Sequence, residues 1–238
     1  MSMFETLMEL PLFRGISYEG VAKTVETNKF HFLKFPAGEV IARKGDAYEH
    51  ITFVINGAVR STKDNEAHTF TISQTFEAPA VLAPDFLYGL RREWPATVMA
   101  LTDCSILKIS KADFTSMLYS DKVFMFNYLN MLSVNAQKAL DGMLSLTKAS
   151  LEERIAFWVT TLTQPQGKDI RLTCRARDLC SLFGVQRHHF DTTLSTMRDN
   201  GLLEFNNKEL YNLNRRGLLE LLHNSKEDSS EELPQNID

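Results

Sequence analysis

The sequence predicts an α+β fold: an all-β N-terminal region, one long helix, and a compact C-terminal helical domain ending in a hairpin. Three observations carry the prediction. Between Phe30 and about Ile109, short β-branched and aromatic runs are broken at regular intervals by Gly, Pro, Asn and Asp, the pattern of a barrel or roll. From Met125 to Leu146 apolar residues recur at alternating steps of four and three, the period of a helical seam. In the last third, Gly184 separates two stretches of helical periodicity, and an Asn-rich turn follows them.

The chain opens with helical character around Phe4, Leu7, Met8 and Leu12, and Ser17 is placed to cap a helix carrying Val21 and Val25. Strands are expected at 39–42, 51–55, 58–61, 68–72, 97–101 and 105–109, each rich in residues that suit a pleated, half-buried surface. A helix is expected from Lys111 to about Thr147, with Met125, Leu129, Leu132, Ala136, Ala139, Met143 and Leu146 forming its seam. A single helix of that length has few partners within its own chain, so the seam is read as a homodimer interface, the alternative being a helix that lies on its own barrel. The small Ala136 and Ala139 would let two such helices approach closely. Ser150 and Glu153 form a capping box ahead of Ile155, Phe157, Trp158 and Val159, and Pro165 with Gly167 ends that helix. Two further helices and a hairpin then complete the domain. The boundaries are therefore 1–110 for the β region and its lead-in, 111–147 for the dimerisation helix, 148–224 for the C-terminal domain, and 225–238 for a disordered acidic tail.

The composition, 44% hydrophobic and 24% charged over 238 residues, is that of an ordinary globular chain. No uncharged apolar run approaches the roughly 18–20 residues that span a bilayer, so the expected location is the cytoplasm, with no membrane association. The three cysteines, Cys104, Cys174 and Cys180, are odd in number and scattered, which fits a reducing compartment. No Cys or His pair stands at metal-ligand spacing, and no paired carboxylates or Ser-His-Asp arrangement suggests catalysis. The reading is a protein that is not an enzyme and holds neither metal nor cofactor. A net charge of −4 disfavours nucleic-acid binding only on the whole-chain sum. Positive charge is concentrated between Lys168 and Arg216, in Arg171, Arg175, Arg177, Arg187, Arg198, Lys208 and Arg215.

Within Ala176 to Met197 the apolar positions are Leu179, Leu182, Phe183, Val185, Phe190, Leu194 and Met197. Two helices that cross closely need a turn residue free to adopt unusual backbone angles, and Gly184 meets that demand. Gln186, Arg187, His188, Asp191, Thr192 and Ser195 are left outward, on the helix that a helix-turn-helix lays in the major groove of duplex DNA. Arg187 suits a bidentate contact to guanine, His188 and Thr192 share its surface, and Gln186 and His189 sit at the edges. Leu202-Leu203-Glu204-Phe205, Asn206-Asn207 and Glu209-Leu210-Tyr211-Asn212-Leu213 read as a two-stranded wing.

Taken in order, these features resemble the Crp/Fnr family, that of the catabolite activator protein and the fumarate-nitrate regulator, up to about Leu222. The residues that carry the resemblance are Leu10-Pro11-Leu12-Phe13-Arg14-Gly15-Ile16, Phe35-Pro36-Ala37-Gly38-Glu39 with Lys44-Gly45-Asp46, Phe53-Val54-Ile55-Asn56-Gly57-Ala58-Val59, and Arg154-Ile155-Ala156. The resemblance implies a cupin-like double-stranded β-roll (a jelly roll), a dimerisation helix and a C-terminal winged helix-turn-helix. It further implies a transcription regulator acting as a homodimer on a pseudo-palindromic operator, with RNA polymerase as a further partner and either an unidentified small-molecule effector or none; the alternative is a cyclic-nucleotide or other small-ligand binding module whose DNA contact is secondary or lost.

The sequence departs from that family's cyclic-nucleotide binders at the phosphate cassette. Pro84 falls where the cassette's acid is expected, and Trp94-Pro95 where its basic residue and hydroxyl are expected. Ala139 and Leu140 stand about where hydroxyls would meet adenine. The expectation is a pocket that does not take cyclic AMP in the family manner, filled or lined instead by Phe76, Phe86 and Trp94. The family's iron-sulfur branch needs a cluster of N-terminal cysteines, and none of the three precedes Cys104.

Overall fold

The computed structural model describes residues 3–65, 69–145 and 150–230. They form two units, Met1–Asp64 with Ser73–Ala136, and Asn65–Ile72 with Gln137–Asp238.

In the first unit, helix α1 (Met3–Glu9) and a 3-10 turn (Pro11–Phe13) lead to α2 (Tyr18–Thr27). Ser17 caps α2 as expected, its Oγ accepting from the Gly20 amide at 3.2 Å. The strands are β1 (Phe30–Phe35), β2 (Val40–Ala42), β3 (His50–Asn56), β4 (Ala58–Asp64), β5 (Phe70–Glu77, its first residues in the other unit), β6 (Ala80–Leu82), β7 (Thr97–Ala100) and β8 (Cys104–Ser110). One sheet has the order β1-β8-β3-β6, and β5-β4-β7-β2 are neighbours in the other. The pairs β1–β8, β3–β8, β3–β6, β4–β7 and β2–β7 are antiparallel, with Phe30 opposite Ile109 and Ile109 opposite Ile51. The pattern of short runs did not disclose β1 or β6. Residues 31–34 of β1 are exposed and carry no inward alternation, while β6 is three residues long and wholly buried.

The expected single helix from Lys111 is two, α3 (Lys111–Ser120) and α4 (Lys122–Ser145). Asp121 makes the break: its amide closes α3 on the Met117 carbonyl (3.1 Å), and its Oδ1 accepts from the Phe124 amide (3.0 Å) to start α4. Both helices dock on the roll through aromatic rings. Phe124 lies 5.1 Å from Phe13 and 5.3 Å from Phe114, and Phe114 lies 5.1 Å from Tyr128, all edge-on.

This docking offsets the expected seam. Met131 and Leu132 pack against the roll's core beside Phe124 and Tyr128, and Met125 is partly buried. The apolar stripe left exposed contains Phe126 (56%) and Leu129 (45%), with exposed Ser133 and Ala136 continuing it at steps of four and three. Of the expected seam residues, Leu129 and Ala136 lie on this stripe, whereas Leu132 turns inward because the aromatic cluster claims its side of the helix. The side chains of Ala139 and Met143, and Leu146 entirely, lie outside the described residues.

The second unit comprises α5 (Leu151–Leu162), β9 (Lys168–Cys174), α6 (Ala176–Phe183), α7 (Arg187–Asp199), β10 (Glu204–Phe205), β11 (Glu209–Tyr211) and α8 (Arg215–Ser230). The capping box at α5 is formed, with Ser150 N donating to Glu153 Oε2 at 2.6 Å and Glu153 N to Ser150 Oγ at 3.2 Å. Strand β9 was not among the expected elements, although Ile170, Leu172 and Cys174 alternate inward along it. It pairs with β11, Leu172 facing Leu210, and so ties the β10–β11 hairpin to the domain. Ile155, Val159, Leu172, Phe190, Met197 and Leu218 are the centre of the core. Phe70 and Ile72, at the start of β5, belong to this unit: Ile72 is buried in its core, and the Phe70 ring lies 5.1 Å from that of Trp158. Helix α8 runs on to Ser230, into the stretch expected to be disordered, and residues 231–238 lie outside the described set. Leu218 anchors α8, with Leu221 and Leu222 packed against the same core, and a helix so anchored extends readily through the charged residues beyond.

Candidate nucleic-acid interface

Helices α6 and α7 are joined by a turn built on Gly184. Its φ of 65° is left-handed, a region that costs a residue with a Cβ about 1–2 kcal/mol. In that conformation the Val185 amide reaches the Cys180 carbonyl (3.0 Å), closing the end of α6. The angle between the helices is filled by Phe183 and Phe190, whose ring centroids are 6.3 Å apart with planes at 22°. Val185 is half-buried, and Leu182, expected among the inward positions, is exposed at 58% because α6 buries Ala176, Leu179 and Phe183 on its other side. Arg154 on α5 fastens the turn from below, its Nη1 donating to the Phe183 carbonyl at 2.9 Å.

Helix α7 buries Phe190, Thr193, Leu194 and Met197 along one face. Gln186, Arg187, His188, His189 and Thr192 are all exposed. Gln186 makes no side-chain cap, and Thr192 returns its hydroxyl to the His188 carbonyl (3.0 Å). Arg187 is held by Asp191, Nε donating to both carboxylate oxygens at 2.7 and 2.8 Å, a pair that periodicity alone had left as two separate outward residues. The wing turn is closed by Asn206, whose Oδ1 accepts from the amides of Lys208 (2.8 Å) and Glu209 (3.0 Å).

The basic stretch is less free than its sequence suggests. Arg215 is half-buried, donating to the Thr160 carbonyl and the Thr163 hydroxyl, and burial lowers its pKa. Arg171 pairs with Asp169, Arg177 with Asp178, and Arg198 with Asp199 while lying over the Phe205 ring. Arg215 thus belongs to the packing of α8 on α5, because its guanidinium meets the Thr160 carbonyl in the last turn of α5.

In the first unit, the segment between β6 and β7 is held at both ends. It opens in a 3-10 turn (Pro84–Phe86), whose Pro84 carbonyl accepts from Tyr128 Oη of α4 (2.9 Å), while Asp85 accepts from Asn135 Nδ2 (3.1 Å). Further on, the Trp94 amide donates to the Asp46 carbonyl and the Gly45 amide to the Trp94 carbonyl (2.8 and 2.9 Å). Trp94 is thereby buried edge-on against Tyr48, whose Oη donates to the Leu82 carbonyl at 2.5 Å. Desolvation raises the pKa of both Tyr48 and Tyr128, so each phenol remains a hydrogen-bond donor. Residues 32–121, which include all of these but Tyr128 and Asn135, match the cyclic nucleotide-binding domain family.

Over the chain as a whole, the structure is similar to the catabolite activator protein of Thermus thermophilus, with a TM-score of 0.51 at 19% identity, covering 90% of this chain and 99% of that one. At that identity the likeness establishes the fold. A CooA variant from Carboxydothermus hydrogenoformans is also similar (TM-score 0.48, 18% identity, 90% and 95% covered), as is DNR from Pseudomonas aeruginosa (0.43, 17%, 90% and 95%). No curated protein matches the chain.

In the first unit, Phe76 and Trp94 are buried and Phe86 packs partly buried against the same core. Leu140 is 60% exposed, and Ala139 lies among the side chains not described. An open groove of about 620 Å³ lies elsewhere on the unit, beside Tyr48, His50, Arg92 and Lys111, and none of Phe76, Phe86 or Trp94 lines it. Among the described residues no helix is long and apolar enough to cross a membrane, and no cluster of His, Cys, Asp and Glu has a metal-holding arrangement.

Proposed function

We propose that this chain is a sequence-specific DNA-binding transcription regulator of the Crp/Fnr type, acting as a homodimer on a pseudo-palindromic operator without cyclic AMP. The observation that carries the reading is the α6–Gly184–α7 arrangement. One face of α7 is locked into a core by Phe190, Leu194 and Met197, while Gln186 and Arg187 at its N-terminal end, and His188, His189 and Thr192 beside and opposite that face, are exposed to solvent. The exposed stripe of α4 around Phe126, Leu129 and Ala136 supports pairing with a second copy, which would present two such faces to half-sites about one helical turn apart.

Independence from cyclic AMP is supported by the segment that runs from Ala83 to Trp94. Its carbonyls and amides are engaged by Tyr128, Gly45 and Asp46, and Trp94 occupies buried space. The experiment is selection of bound duplexes from a random library with purified, ligand-free full-length protein, alongside Arg187→Ala. A pseudo-palindrome enriched by the native chain and lost in the variant is the expected result. Equal retention of all duplexes by the native chain, with or without cell extract, would reject the reading. Titration calorimetry with cyclic AMP and cyclic GMP is expected to show no binding, and stoichiometric micromolar binding would reject the independence from cyclic AMP.

A further inference from the structure

We infer that Asp191 is a specificity-determining residue that works with Arg187 as one reading unit, selecting guanine beside a base that presents an amino group. The inference rests on the DNA-reading assignment above and adds to it a residue and a base preference. Arg187 Nε donates to both oxygens of Asp191 at 2.7 and 2.8 Å, and both side chains remain about half exposed, at 52% and 43%.

Local helix stability does not account for this pair. Arg187 is the first residue of α7, where a cation opposes the positive end of the helix dipole. The order is also the weaker one for a helical ion pair, with the cation N-terminal to the anion. An exposed pair of this kind contributes little to stability. What the geometry does accomplish is to orient the guanidinium before any ligand arrives.

A guanidinium can meet guanine N7 and O6 from its Nε side or from its two Nη groups. Asp191 occupies the Nε side, so the Nη pair is left as the forward edge. An arginine already held in this way loses less side-chain freedom on binding than a free one. The carboxylate has a second effect, because it stays beside the guanidinium on the same exposed face. It accepts hydrogen bonds and donates none, so cytosine N4 or adenine N6 satisfies it, while the acceptor edges of guanine and thymine repel it. Near a duplex it also repels phosphates and weakens binding to every sequence alike. Asp191 therefore lowers affinity for random DNA and raises discrimination, two effects of opposite sign.

The opposite signs make the test decisive. Full-length native protein, Asp191→Ala, Asp191→Asn and Arg187→Ala would each be put through the same duplex selection. Binding to the native protein's enriched operator and to a random duplex would then be measured by fluorescence anisotropy at one fixed salt concentration. Asp191→Ala is expected to bind the random duplex severalfold more tightly, and its operator-to-random ratio is expected to fall roughly tenfold. The base position beside the guanine should lose its preference for cytosine or adenine. Asp191→Asn, which carries both a donor and an acceptor, should tighten random binding similarly and admit guanine and thymine at that position. An unchanged motif and ratio in Asp191→Ala, or a parallel loss of affinity for both duplexes, overturns the inference while leaving the DNA-reading assignment intact. If the native protein itself enriches nothing, the assignment and the inference fall together.

Discussion

Replacing Phe190 by alanine removes the ring that fills the angle between α6 and α7, and its cost can be worked from the structure. Phe190 is fully buried and lies over Phe183 at 6.3 Å. A phenylalanine buries about 150–250 Å², which at about 25 cal/mol per Å² corresponds to roughly 4–6 kcal/mol as an upper bound. Alanine retains part of that and the surroundings relax in part, so the expected loss is the 3–5 kcal/mol that large-to-small changes from phenylalanine generally cost. Against a domain stability of about 5–15 kcal/mol, this removes between a fifth and most of the total. For a domain of this size each kcal/mol moves the thermal midpoint by about 4–8 °C, so a fall of at least about 12 °C is expected. The chain has two tryptophans, Trp94 in the first unit and Trp158 in the second, so Trp158 fluorescence in a Trp94→Phe background reports the second unit alone. Trp158 stands 5.6 Å from Phe183 and senses the same core. A fall of less than about 4 °C would refute the reasoning, because the angle between the helices would then not depend on this ring.

Gly57 has φ of 86°, and a Cβ there would stand 2.6 Å from the Asp103 carbonyl and 2.9 Å from Cys104 Sγ, so Gly57→Ala is expected to cost at least about 2 kcal/mol by urea unfolding of the first unit. Tyr48→Phe removes the donor to the Leu82 carbonyl and should cost about 1 kcal/mol in the same assay, with Trp94 fluorescence altered because that ring lies 4.7 Å from Tyr48. Burial lowers the pKa of Lys63 from 10.5, with Asp85 offsetting part of the effect, so the folded chain binds this proton less tightly than the unfolded one. The penalty is full below the lowered pKa and disappears as pH rises through 10.5. Lys63→Met should therefore raise the thermal midpoint at pH 7, with a gain that shrinks in alkaline solution. Phe126→Glu combined with Leu129→Glu places like charges on the exposed stripe of α4, and sedimentation should show the native chain as a dimer and the variant as a monomer.

The features that could be read from the chain are those decided within a few residues. Ser17, the Ser150–Glu153 box and Gly184 act through hydrogen bonds and backbone angles that close inside one helical turn, so their residue types announce them. The outward positions of α7 follow from the same locality, since Phe190, Leu194 and Met197 define its buried face at helical spacing and leave His188 and Thr192 opposite, while Arg187 is exposed as the first residue of the helix. The Arg187–Asp191 pair was also within reach of the sequence, being one turn apart on that face, but its bond geometry was not.

Tertiary structure decided what depends on residues far apart in the chain. Helix α4 carries apolar residues on more than one face, and periodicity cannot say which of them its own roll will claim. Phe13 and Phe114 settle it by drawing in Phe124 and Tyr128, so Leu132 turns inward and Phe126 with Leu129 is left to face outward. Arg215 reads as one more cation in a basic stretch until α8 packs on α5 and gives its guanidinium the carbonyl of Thr160. Phe70 and Ile72 read as ordinary strand residues, and only the packed chain assigns them to the core around Trp158. A helix cap is satisfied by its neighbours, whereas an apolar face is indifferent to its partner until the folded chain brings one within contact distance.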